Sequence, residues 1–175
     1  MIKYNRFKFC PKCKSKKIFN NSEKSFICKN CNFEYFHNCA SSVAAIIETK
    51  NGIILTKRKL NPKKDFLDLP GGFTDYNESL EVALKREVKE EINLEIYDLS
   101  YFGSYPNKYI YKNVTYFTID SVFICKAKSL KDIRKSKEID NILFCHPEKI
   151  PILKLGFKST KKAILEYLDY LNNKK

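Results

Sequence analysis

The chain has 175 residues, with 33 basic and 20 acidic side chains, a formal net charge of +13, seven cysteines and no tryptophan. That length suits one mid-sized domain with a small appendage, and 43% hydrophobic with 30% charged residues is the composition of a folded globule, not of a disordered chain. No run of roughly 18 apolar residues occurs and Met1 to Arg6 lacks the apolar stretch of a signal peptide, which disfavours a membrane span and a secreted disulfide scaffold.

An odd number of cysteines with a cluster of four points to metal in a reducing compartment, and so to a cytoplasmic protein. The charge is uneven. Residues 1–38 hold nine basic and two acidic residues, a balance of +7, so only +6 is spread over the remaining 137. Such a segment attracts polyanions through their phosphates, although 29 of the basic residues are lysine and a solvated lysine-rich surface explains the same count.

The first predicted module spans residues 1–38. Cys10-Pro11-Lys12-Cys13 and Cys28-Lys29-Asn30-Cys31 are two CxxC pairs, which supply four thiolates in a tetrahedron, the closed arrangement of a structural Zn²⁺ site. Disulfides and an iron site are the competing readings. Ile18-Phe19 and Phe26-Ile27 around Asn20 to Glu23 predict a β-hairpin between the knuckles, with the metal supplying folding free energy that so short a segment lacks. His37 and Cys39 read as structural because the cage is complete without them, and Phe33, Tyr35 and Phe36 as groups that pack the ribbon against the next domain, with base stacking the sharper alternative.

The second module, residues 39–175, opens with Val43 to Ile47 and Ile53 to Leu55 flanking Asn51-Gly52, a strong hairpin signal, and Arg58 closes the second strand. Phe66 to Gly72 then ends in a Pro-Gly-Gly turn whose bare backbone allows close approach by an ion or phosphate.

A helix is predicted over roughly Ser79 to Ile92, with Asn77 as N-cap, Glu78 in the first turn and Asn93 in the left-handed C-terminal position. At the helical period Leu80, Ala83 and Leu84 share a face with Glu87, Glu90 and Glu91, so the buried stripe turns acidic within two turns. Carboxylates crowded on a partly buried face repel one another and lose hydration. A divalent cation such as Mg²⁺ or Mn²⁺ resolves that conflict, since both prefer carboxylate and water oxygens together with substrate phosphate. Arg86 reaches Glu90 at i+4, and Glu78 if the preceding loop folds back.

Gly72, five residues, Glu78, seven residues and Arg86-Glu87-Val88-Lys89-Glu90-Glu91-Ile92-Asn93-Leu94 resemble the Nudix box, with eight of nine specified positions matching and Asn93 in place of Gly. The resemblance spans about residues 40–171 and implies an α/β/α sandwich with a mixed sheet that hydrolyses a nucleoside diphosphate linked to another moiety. It also implies that Glu87, Glu90 and Glu91 bind the divalent metal with the Gly72 carbonyl, that Arg86 orients carboxylates and that Glu78 supports them. The Nudix pattern further suggests a carboxylate from a later loop, for which Glu138 is the candidate and Asp140 the competitor.

The first module resembles the zinc ribbon in front of several nucleotide-processing enzymes. Ribbon and box together resemble the NADH pyrophosphatase group, which implies a homodimer and a nucleotide pyrophosphate substrate such as NAD(H) or ADP-ribose. Of that group's post-box segment, Ser104 and Pro106 match, while the Trp and later prolines are absent from Ser104 to Tyr109.

Tyr105 and Tyr109 are candidates for stacking on a base, and Arg58 for contacting phosphate. Two other functions stay open: a nucleic-acid-binding or ligand-sensing regulator with a non-catalytic fold, and an enzyme that removes a nucleotide cap from RNA. Strands are predicted over Tyr97 to Ser104 and Val114 to Cys125, with Lys112-Asn113 near a turn, and an amphipathic helix over Thr160 to Leu171. Cys125 and Cys145 read as inert core thiols.

Overall fold

The computed structural model describes residues 7–22 and 24–174, so Lys3, Arg6 and Glu23, counted in the charge balance, lie outside the described residues. The chain divides into two compact units after Cys39.

In the first unit β1 (Ile18–Asn20) and β2 (Ser25–Cys28) form the expected antiparallel hairpin, in the register Ile18 to Cys28. A third strand, β3 (Glu34–Phe36), pairs with β2 and was not anticipated. Its Tyr35 stacks on the fully buried Phe26 at 5.5 Å, and His37 approaches the same ring at 6.0 Å, so this ribbon has a small aromatic core of its own. Phe36 is exposed.

The second unit is a mixed seven-stranded sheet. Its spine runs β10 (Ile139–Cys145), β5 (Gly52–Arg58), β4 (Ala40–Thr49), β9 (Val114–Ala127), β8 (Ile96–Tyr111), and only β4 and β9 are parallel. Two helices cover its opposite faces. Alternate β4 residues serve each core: Val43, Ala45 and Ile47 meet Leu84, Val88 and Ile92 of α1 (Leu80–Ile92). Ile46 meets Ala163, Ile164 and Tyr167 of α2 (Lys158–Asn173). The near-continuous apolar run of β4 follows from burial on both faces.

The predicted Asn51-Gly52 hairpin forms but is short. Strands β4 and β5 pair only at Glu48–Ile53 and Thr49–Gly52 and then part. Into the gap runs residues 67–73, where β6 (Leu67–Asp68) pairs with β5 and β7 (Gly71–Phe73) pairs with β4. The Pro-Gly-Gly turn is thereby fixed in the middle of the sheet. Gly71 has φ +151° and an added Cβ would lie 2.1 Å from the Val43 carbonyl oxygen, so no larger residue fits.

Strand β8 is longer than the predicted Tyr97 to Ser104, because Ser104 to Tyr109 continues it to Tyr111. Pro106 is tolerated there since β8 is the sheet's edge. Among the described residues no helix is long and apolar enough to cross a membrane.

Candidate active site

Helix α1 begins two residues later than a cap at Asn77 would start it. Ser79, not Asn77, is the N-cap, its hydroxyl accepting from the Val82 N–H at 3.3 Å, while Asn77 sits at φ 64° in the loop. Asn93 takes the left-handed position expected of it, at φ 54° and ψ 37°.

The burial of α1 centres on Ala83, Leu84, Val88 and Ile92. This rotates the acidic stripe relative to the sequence expectation: Glu87 and Glu91 are partly buried, while Glu90 stands at the rim with 60% of its side chain exposed. The Glu91 carboxylate accepts from the Gly71 N–H at 3.2 Å, and an added Cβ on Gly72 would meet the Glu87 carboxylate at 2.5 Å. The glycine turn and the acidic helix are therefore in direct contact, and the second glycine is what lets Glu87 lie against the backbone.

Arg86 organises the face with all five of its N–H donors. Nε and Nη2 grip Glu78 as a fork at 2.7 and 2.8 Å, Nη1 reaches Glu87 at 2.8 Å and Glu90 at 3.2 Å, and Nη2 also donates to the Phe73 carbonyl at 3.0 Å. The fork, with the Asp75 N–H, holds the Glu78 carboxyl down at about 2. Burial, with the charges of Asp68 and Glu87 adding to it, pushes Glu91 up to about 8, and burial also raises Glu87 against the opposing pull of Arg86. Lysine has no planar fork, so R86K should lose roughly tenfold to a hundredfold in any activity of this face, with the Glu78 carboxyl rising toward its ordinary range in an NMR titration.

Beside Gly71 and Gly72 opens a cavity of about 80 Å³. One wall is a stack of Arg58 over Phe157 at 5.2 Å and Phe157 over Tyr109 at 5.7 Å, with Phe73 edge-on to Tyr109 at 5.4 Å. Arg58 also donates to partly buried Asp68 at 3.3 Å and to the Pro62 carbonyl at 2.9 Å. Of the two candidate tyrosines only Tyr109 lines this cavity. Tyr105 is 3% exposed, packs in the core beneath α2 and donates to Glu166 at 2.7 Å.

Glu138 is exposed immediately before β10, its carbonyl accepting from the Lys59 N–H, and among the described residues its carboxylate makes no ion pair. Asp140 is engaged by Lys57 at 2.9 Å. Sequence reasoning missed Asp68, Asp120, Phe157 and Ser159. The parity of β9 carried a signal for Asp120, since it shares one face with Thr118 and Val122, both of which are buried.

In the first unit the four thiols lie within 4.8 Å of one another, with Cys10–Cys31 at 3.7 Å and Cys13–Cys28 at 3.6 Å. Sulfur atoms about 2.3 Å from a tetrahedral zinc are about 3.8 Å apart, so the cage fits that ion. Each knuckle is closed by the same pair of backbone bonds, Cys10 with Lys14 and Ser15 and Cys28 with Asn32 and Phe33, and Lys14 and Asn32 both adopt positive φ. Cys125 is fully buried and its thiol is raised to about 12 by burial, consistent with an inert core residue.

Residues 39–168 match the NUDIX domain family model. The chain belongs to the Nudix family. An NAD-capped RNA hydrolase NudC of Haemophilus influenzae is 32% identical over 101 residues, 57% of this chain and 38% of that protein. An ADP-ribose pyrophosphatase of Methanocaldococcus jannaschii is 50% identical over 60 residues, 34% of this chain and 35% of that protein. The chain thus spans little more than a third of the length of these curated relatives. A Nudix hydrolase crystal structure from Nitrosomonas europaea superposes with a TM-score of 0.76 at 22% identity, covering 93% of this chain and 91% of that one. The Nudix box lies on the turn and helix described above, and its single departure, Asn93 for Gly, occupies the backbone conformation the glycine would supply.

Proposed function

We propose that this Nudix protein is a divalent-metal-dependent pyrophosphohydrolase cleaving a nucleoside diphosphate linked to another moiety, a dinucleotide or nucleotide sugar such as NAD(H) or ADP-ribose. One observation carries the reading: Glu87 and Glu91 are packed against the Gly71-Gly72 backbone while Arg86 alone balances Glu78, Glu87 and Glu90. A face with such an excess of carboxylate oxygen fits a hard cation, Mg²⁺ or Mn²⁺, which Glu87, Glu90, Glu91 and the Gly72 carbonyl would hold. The ion supplies neutralisation of phosphate oxygens and acidification of a water.

The chain's own residues do the positioning. Glu78 fixes the Arg86 fork, Arg86 fixes Glu87 and Glu90, and the bare glycine backbone lets phosphate approach. Arg58, presented between Asp68 and Phe157, is the phosphate contact, and the proton of the attacking water passes to a box glutamate or to Glu138. The first unit, residues 1–38, serves as a zinc ribbon closed by Cys10, Cys13, Cys28 and Cys31, and the protein works as a homodimer, which solution mass reads directly.

The test is a screen with Mg²⁺ or Mn²⁺ of NADH, NAD⁺, ADP-ribose, diadenosine polyphosphates, nucleotide sugars and nucleoside triphosphates, with NAD-capped RNA in parallel because relatives bear that name. Turnover of a dinucleotide or nucleotide sugar, abolished by chelation, is expected. Preference for capped RNA, lost at high salt or on neutralising ribbon lysines, favours the decapping reading instead.

A further inference from the structure

The cavity beside Gly71 and Gly72 ends in polar groups that the hydrolytic chemistry leaves unused: Asn107 on β8, Asp120 on β9 and Ser159 in the first turn of α2. One Asp120 oxygen accepts from the Ser42 hydroxyl and from the Thr118 hydroxyl at 2.6 Å, and the other accepts from the Asn107 amide nitrogen at 3.1 Å. A carboxylate offers about four acceptor positions, so about one is left. Because a carboxylate only accepts, it fixes the Asn107 amide with its nitrogen inward, which leaves the amide oxygen as a second acceptor.

Ser159 is 3% exposed, and its hydroxyl is the one buried side-chain polar atom without a hydrogen-bond partner among the described residues. Native proteins seldom leave such a group unpaired unless something outside the chain satisfies it. The adjoining wall is flat and aromatic, Phe157 against Tyr109.

We propose that this is a base pocket that selects a flat ring carrying an amino donor beside an acceptor, the pattern shared by the adenine edge and the nicotinamide carboxamide. The amino group donates to Asp120 and the acceptor takes the Ser159 hydroxyl. A keto edge, as in hypoxanthine, or a carboxylate, as in nicotinate, sets acceptor against acceptor at Asp120. The location rests on the pyrophosphohydrolase reading, which places the phosphates at the glycine turn. The selectivity does not need turnover, because mononucleotides contain no anhydride to cleave.

The experiment is calorimetric titration of the full chain, with Mg²⁺, by four ligands: AMP, IMP, nicotinamide mononucleotide and nicotinate mononucleotide. At least one amino-bearing member should bind about tenfold or more tighter than its partner, and the pair that discriminates identifies the ring as adenine or nicotinamide. D120N should bring that ratio near one. S159A should weaken the preferred ligand about fivefold while leaving Tm unchanged or higher, since it removes a hydroxyl that nothing in the free protein satisfies. A merely structural Ser159 would lower Tm and leave affinity alone.

Should D120N fail to fold, S159A decides by itself. Equal binding within both pairs, no binding of any of the four, or unchanged affinity in S159A overturns the proposal. Discrimination without hydrolysis of any pyrophosphate keeps the pocket and removes the enzymatic reading; hydrolysis without discrimination does the reverse.

Discussion

Replacing Glu91 by Gln should lower metal-dependent hydrolysis about 10²–10³-fold, the order associated with losing one preorganised electrostatic group, while leaving the metal-free fold as stable as before or more so. The two halves of that expectation have one cause. Glu91 lies in the last turn of α1 against the glycine turn, where burial first, and then the charges of Asp68 and Glu87, raise its carboxyl to about 8, with the Gly71 N–H and Arg58 opposing. A carboxyl whose folded value lies above its ordinary 4.5 contributes stability fully at pH below that ordinary range and loses it as pH rises through about 8. Raising the pH should therefore weaken the metal-free fold, and Gln at this position should remove that dependence.

Metal binding has the opposite slope, because the ligand must shed its proton. Affinity for Mn²⁺ should climb with pH and level off above about 8 in calorimetric titrations, and the climb should flatten in E91Q. Stability loss in E91Q at alkaline pH would show that the charged form is favoured in the fold, contrary to its burial.

The second large effect concerns the cysteine cage. Cys28 is fully buried beside Phe26, at the end of the short strand β2, and the described residues of the unit around it form three strands of three or four residues. So small a sheet lacks the buried area to persist alone, and a structural zinc site contributes on the order of 10 kcal/mol to such modules. C28S should abolish zinc content and melt residues 7–38, seen as collapse of their NMR dispersion. The Nudix unit should retain its own thermal transition, since its two cores are formed entirely by residues from Val43 onward. A zinc-free C28S protein with an intact ribbon spectrum would show that the aromatic cluster around Phe26, not the metal, holds the unit.

The parts of this molecule that sequence made legible are those fixed by short-range spacing. Two CxxC pairs supply four thiolates that suit one tetrahedral cation, and the Arg86 to Leu94 run sets carboxylates at helical intervals whatever surrounds it. Even there the buried arc depends on which strands α1 meets, which is why Glu90 proved to be at the rim. The N-cap moved from Asn77 to Ser79 because the loop folds back to present Glu78 to Arg86, a tertiary constraint that capping preference does not contain.

Long-range features were less legible. The parting of β4 from β5 depends on residues 67–73 entering between them, and the Tyr105 ring is core because α2 returns over it from sixty residues away, bringing Glu166. The cavity draws on β8, β9 and the start of α2, which nothing local in the sequence brings together.

The central claim is that the acidic face of α1 and the glycine turn together hydrolyse a pyrophosphate. The most direct measurement is chromatography of ADP-ribose and NADH after incubation with the wild-type chain, with Mn²⁺ and with chelator. Release of AMP from at least one of them, dependent on Mn²⁺ and lost in E91Q, is the predicted result. Absence of AMP from both with metal present, from a protein whose Nudix unit shows a normal thermal transition, would contradict it.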